Sequence, residues 1–72
     1  MLMDVPIVFT LPNCPACDKL RDAWYSRCVR YEERRVDQSQ EALDEALEYG
    51  TAVPIILYPD GHVEEGFEGE FG

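Results

Sequence analysis

The sequence predicts an α/β domain in the order β-α-β-α-β-β, with a four-stranded mixed sheet and helices on both faces. Three observations carry that prediction. Two branched apolar runs, VPIVF at 5–9 and VPIILY at 53–58, have the continuous character of strands buried on both faces. Two stretches, one opening at Cys14 and one near residue 39, repeat apolar residues at helical spacing. An Asp60-Gly61 pair follows the second run and marks a tight hairpin into a last strand around 62–65. The helical crossover makes the first two strands parallel, and the hairpin makes the last two antiparallel. A chain of 72 residues has room for one core, so residues 1–72 are read as a single domain.

Each element has its own signal. TLPN at 10–13 breaks the first strand. The first helix then presents Cys17, Leu20, Ala23 and Trp24 along one stripe, with Trp24 expected in the core. VRYEERRVD at 29–37 alternates and is heavily charged, which suits an edge strand protected against further pairing. Asp37 and Gln40 are spaced as a capping box for the second helix, with Ser39 as the alternative cap. Leu43, Ala46 and Leu47 are its expected inward face, and Gly50 stands where a left-handed terminating residue belongs. Tyr25, Tyr31, Tyr49 and Tyr58 read as boundary packing, and His62 as a solvated residue after the turn. The tail EGFEGEFG is too short for another stable helix.

Charge and composition exclude several functions. Hydrophobic residues make up 46% of the chain, which argues against disorder. All six basic residues lie between positions 19 and 35, and residues 36–72 carry ten acids and no Lys or Arg. The acidic half repels phosphate, so nucleic acid is not an expected partner. No run approaches the ~20 apolar residues of a membrane span. The N-terminus lacks the basic and apolar regions of a signal peptide, so a cytoplasmic location and no membrane partner are expected.

The informative motif is Cys14-Pro15-Ala16-Cys17. A close cysteine pair in a reducing compartment is more often catalytic or metal-binding than structural. Pro15 suits the first helical position, which puts Cys14 at the N-cap. There its sulfur faces the free N–H groups of Ala16 and Cys17 and the positive end of the helix. Both favour the thiolate, the reactive form. Cys17 lies nearly one turn on, close enough to bond Cys14 and more shielded. Asp18 serves mainly to stabilise the first turn. Zinc is the rival reading, with Cys14, Cys17, Cys28 and His62 as its only available set. The absence of a second CxxC or HxxxH spacing weighs against it, and no metal is expected. Cys28 reads as a small space-filling residue.

A second motif strengthens the dithiol reading. AVPIIL places a proline at the opening of an apolar strand, where proline is otherwise avoided. Taken together in order and spacing, FTLPNCPAC, VRYEERRVD, AVPIIL and DGHVEEGFEG resemble the glutaredoxin-like proteins of thioredoxin-like fold across almost the whole chain. The small size, the CPAC centre and the final GF are most similar to the NrdH-type redoxins. That resemblance implies a dithiol–disulfide oxidoreductase that reduces protein disulfides, with ribonucleotide reductase as a candidate recipient. Cys14 would be the nucleophile and Cys17 the resolving thiol. Pro15, Ala16, Val53, Pro54, Gly66 and Phe67 would meet the substrate, with Pro54 cis. It implies no bound cofactor, with electrons from thioredoxin reductase and NADPH ahead of glutathione. The alternatives in view are a glutathione-dependent glutaredoxin and a non-catalytic binding module of the same fold.

Departures from the family sharpen these expectations. Glutathione-using relatives carry a base before the active site, a Tyr within it and a Gly-Gly pair near the end. Here residues 10–13 hold no base, Ala16 stands for the Tyr and Glu65 for the first Gly. A rim of Glu64, Glu65 and Glu68 is expected to disfavour the two carboxylates of glutathione. The NrdH-type aromatic before GF is replaced near Glu64, and the basic and proline residues after it by Glu68 and Gly69. The family's closing helix is missing or vestigial, which predicts an apolar sheet surface bare or capped by Phe67 and Phe71. A bare surface would bring weak homodimerisation or low stability.

Overall fold

The computed structural model describes residues 5–69. Its elements are β1 (Ile7–Thr10), α1 (Pro15–Ser26), β2 (Glu32–Arg35), α2 (Gln40–Leu47), β3 (Ile55–Leu57) and β4 (Val63–Glu65). The sheet order is β2-β1-β3-β4. β1 and β2 are parallel with Val8 opposite Glu33, whereas β1–β3 and β3–β4 are antiparallel. The predicted order and mixed sheet are both present, and the two outer strands carry the charged sequences EERR and VEE.

Alternation along the central strands divides the core into two layers. Ile7 and Phe9 join Ile55, Leu57, Val36, Ala42 and Ala46 on the α2 side. Val8 and Ile56 join Leu20, Trp24 and Phe67 on the α1 side. Trp24 takes the core place its spacing predicts, edge-on to Tyr31 at 5.2 Å and to Phe67 at 6.4 Å. Phe67 thereby closes the α1 side of the sheet. Val8 and Ile56 beneath it are fully buried, so the expected bare surface is not found among the described residues. Phe71, the other expected cap, lies outside them.

Strand bounds shift for local reasons. β1 runs on to Thr10 because Thr10 finds partners: its carbonyl accepts from Val36 N at 3.1 Å and its hydroxyl donates to Glu33 at 2.6 Å. β3 begins at Ile55, two residues later than predicted, since Pro54 has no N–H for a ladder. β2 loses residues 29–31 to the end of α1. There Cys28 N–H donates to Tyr25 O and Val29 N–H to Trp24 O, the 5→2 and 6→1 bonds of a Schellman closure. Cys28 holds the left-handed position, φ 58°, usually taken by glycine. It is exposed and so is not the space-filling residue expected.

Four further expectations are corrected. Ser39 caps α2, its hydroxyl accepting from Ala42 N. The inward stripe is then Ala42, Leu43 and Ala46, and Leu47, a further 100° round the helix, is 55% exposed. Gly50 is not left-handed. What it provides is room, because a Cβ there would sit 2.5 Å from Glu65 Cδ. Of the four tyrosines, Tyr25 is 85% exposed and packs no boundary.

Candidate active site

The site forms where β1 ends and α1 begins. Cys14 is the N-cap with extended backbone (φ −128°, ψ 104°), and Pro15 opens the helix. Cys17 N–H donates to Cys14 Sγ at 3.0 Å, and Asp18 N–H donates to the Cys14 carbonyl at 3.0 Å. Of the two amides expected to reach the sulfur, the Cys17 amide makes the bond. Cys14 and Cys17 are joined as a disulfide, their Cα atoms 5.1 Å apart. Both are nearly sealed, at 2% and 0% exposure. The asymmetry between them therefore lies in position and hydrogen bonding rather than in access.

Other chain segments complete the setting. Ala16 is buried with the two cysteines, and Leu11 and Val53 pack against that group. The Val53-Pro54 peptide bond is cis. Gly66 N–H donates to Pro54 O at 2.7 Å, which pins the end of β4 to the proline turn. Gly66 does so at φ 80°, a conformation costly for any residue with a Cβ. Six sequence-derived positions, Cys14, Pro15, Ala16, Cys17, Val53 and Pro54, thus converge on one end of the sheet, with Gly66 tied to them. Phe67 diverges: its ring enters the α1-side core.

The expected acidic rim is also thinner than three glutamates. Glu68 pairs with Arg27 at 3.9 Å, at the far end of α1, and Glu64 with His62 at 3.2 Å. Glu65 alone stays at the cysteine end, opposite Ile55 and against Gly50. The four rival zinc ligands do not meet. Cys28 lies beyond the 12-residue helix that Cys14 opens, ~18 Å away by helical rise.

A charged network beside the cysteines had no counterpart in the sequence reading. Arg21 Nη1 donates to Asp18 at 2.6 Å, and its Nε and Nη2 donate to Glu33 Oε2 at 2.9 and 2.5 Å. Its Nη2 also reaches the Leu11 carbonyl at 3.5 Å. The Arg21 hydrogen bond is the main reason the Glu33 carboxyl is held below its ordinary value, against a smaller opposing effect of burial. The Asp18–Arg21 spacing of three on a helix was a local signal for half of this network. Glu33 required the β1–β2 register.

Comparison with known proteins agrees with this geometry. The chain matches the glutaredoxin family over residues 7–63. Among solved structures it is similar to the thioredoxin-like protein BC3987, with 31% identity, a TM-score of 0.80 and 88% of each chain covered. A mutant of BC3987 gives 29% identity, a TM-score of 0.79 and coverage of 88% of this chain and 86% of that one. No curated protein matches significantly. No helix among the described residues is long and apolar enough to cross a membrane.

Proposed function

From a chain that belongs to the glutaredoxin family and holds its CxxC pair as a closed disulfide, we infer a redoxin that reduces disulfides in other proteins. It is a thiol–disulfide oxidoreductase. The observation that singles out Cys14 as the attacking thiol is the hydrogen bond from Cys17 N–H to Cys14 Sγ at the helix mouth, which stabilises negative charge on Cys14.

In the reduced protein, Cys14 thiolate attacks one sulfur of a target disulfide. A mixed disulfide forms, and the other target sulfur leaves as a thiolate that takes up a proton. Cys17 then gives up its proton, and its sulfur attacks Cys14 Sγ. The mixed disulfide breaks, the second target sulfur leaves as thiolate, and the Cys14–Cys17 bond closes. Two electrons have passed to the target, and the chain is left in the bonded state seen here. A target peptide lies along Val53 and Pro54, with Pro15, Ala16 and Gly66 completing the groove.

The electron source that fits is the dithiol of a thioredoxin reductase fed by NADPH, with no cofactor held by this chain, in a reducing cytoplasm. Glu65 beside the proline turn, Ala16 in place of a tyrosine and the lack of a base at 10–13 all disfavour glutathione. Ribonucleotide reductase is the recipient suggested by the likeness to NrdH-type redoxins. With thioredoxin reductase and NADPH, the wild type is expected to reduce a model disulfide and Cys14→Ser to be inactive. Cys17→Ser is expected to trap the mixed disulfide, and mass spectrometry of that adduct from cell extract identifies the recipient. Equal behaviour of all three proteins would mean a binding module. Saturation by micromolar glutathione would instead assign that reductant.

A further inference from the structure

We propose that Arg21 is a positioning residue of the redox centre, neutralising Asp18 and Glu33 beside the cysteine turn and tying both to the loop that carries Cys14. The proposal rests on the reading of Cys14 as the nucleophile.

The need for such a residue follows from the chemistry of the helix mouth. An unbalanced carboxylate near a thiol disfavours the thiolate, and it also competes for the same positive helix end. Two carboxylates stand close. Asp18 follows Cys17 directly, and its N–H holds the Cys14 carbonyl. Glu33 accepts from Thr10, a fully buried residue four positions before Cys14. Arg21 reaches both at once. Its planar fork gives one nitrogen to Asp18 and two to Glu33, and one of these also faces the carbonyl of Leu11, whose side chain packs on the cysteines. A lysine ammonium has no such fork.

The other neighbours of the cysteine turn do not substitute for it. Asn13 and the segment Thr51–Pro54 bring no ionisable side chain. Arg35 and Asp37, after β2, pair with each other at 2.7 Å. Lys19 lies on the exposed side of α1. Glu65 stands on the α2 side against Gly50.

The test compares the pH dependence of Cys14 alkylation in fully reduced protein, with Cys28→Ser as background so that Cys28 does not contribute. Arg21→Gln leaves two carboxylates unbalanced, so the alkylation midpoint should rise and the rate at pH 7 fall about three- to tenfold. Glu33→Gln keeps acceptors for Thr10 and Arg21 but removes one negative charge, so its midpoint should fall. The double variant should return close to the wild type. A purely mechanical brace would move both single variants the same way, and that result, or no movement in either, overturns the proposal. Should Arg21→Gln fail to fold, Glu33→Gln and Asp18→Asn still carry the sign: both midpoints must fall, and a rise or a null result refutes the clamp. A wild-type Cys14 that alkylates like an ordinary thiol counts against the redox reading itself. A reactive wild type with unmoved variants counts against Arg21 alone.

Discussion

The two ends of α1 each carry a cysteine, and the helix treats them in opposite ways. At the N-terminal end Cys14 caps the helix, is buried, accepts an amide hydrogen bond and is covalently closed on Cys17. At the C-terminal end Cys28 stands just past the cap, exposed, in a left-handed conformation. The residue type is the same; the backbone offered to it is not. The first end presents unpaired N–H groups and positive partial charge, the second unpaired carbonyls and negative partial charge. Anchoring differs as well. The N-terminal end is held by Arg21, Glu33 and the proline turn, whereas the C-terminal end leaves Tyr25 and Val29 facing outward.

The largest expected effect sharpens this contrast directly. Labelling of the native protein with iodoacetamide without reductant should modify Cys28 alone, and after reduction Cys14 as well, with Cys17 shielded, as mass spectrometry will count. Cys28→Ser should keep full disulfide-reducing turnover, in contrast to the complete loss at Cys14→Ser. A loss of turnover at Cys28→Ser would break the division of labour between the two ends.

The next effect concerns packing. Phe67→Ala removes the ring that closes the α1-side core against Trp24, and should cost about 3–5 kcal/mol in chemical denaturation. With a domain stability of only ~5–15 kcal/mol, the reduced variant would sit close to unfolding. Smaller again is Cys28→Gly, which relieves a left-handed residue with a Cβ and should stabilise the chain by about 1 kcal/mol. The smallest is a pH effect. The Glu33 carboxyl is depressed below its ordinary value of 4.5 by the Arg21 hydrogen bond, so its stabilising contribution is full above that pH. It is lost as the pH falls through the lower folded value. Acid titration of stability should therefore be shallower in Glu33→Gln, and only modestly so, since this pair faces solvent.

What could be read from the chain alone was what depends on near neighbours in sequence. Pro15 after Cys14, the stripe Leu20–Trp24 and the Asp60-Gly61 turn are local patterns, and each appears where its spacing places it. The phase of α2 was misread for a related reason. Its small Ala42 packs inward and its large Leu47 faces outward, because burial follows the packing against Phe9, Ile55 and Leu57 across the sheet rather than side-chain size. Arg21 and Glu33 lie 12 positions apart and meet only through the β1–β2 register, in which Val8 faces Glu33. The fate of Glu68 was likewise set by a distant partner, Arg27, that no spacing rule connects to it, whereas His62 and Glu64 stand two apart, the spacing that shares one strand face. Pairing across strands is a long-range fact, and a single sequence holds little trace of it.

The position of Trp24 has a practical corollary. It is the chain's one tryptophan, shielded from water by Phe67 and bracketed edge-on by Tyr31. The molecule therefore carries a built-in fluorophore at the seam between its first helix and the residue that follows Gly66 after β4. Withdrawal of the Phe67 ring would admit solvent to the indole and shift its emission to the red, making that seam visible optically without any added label.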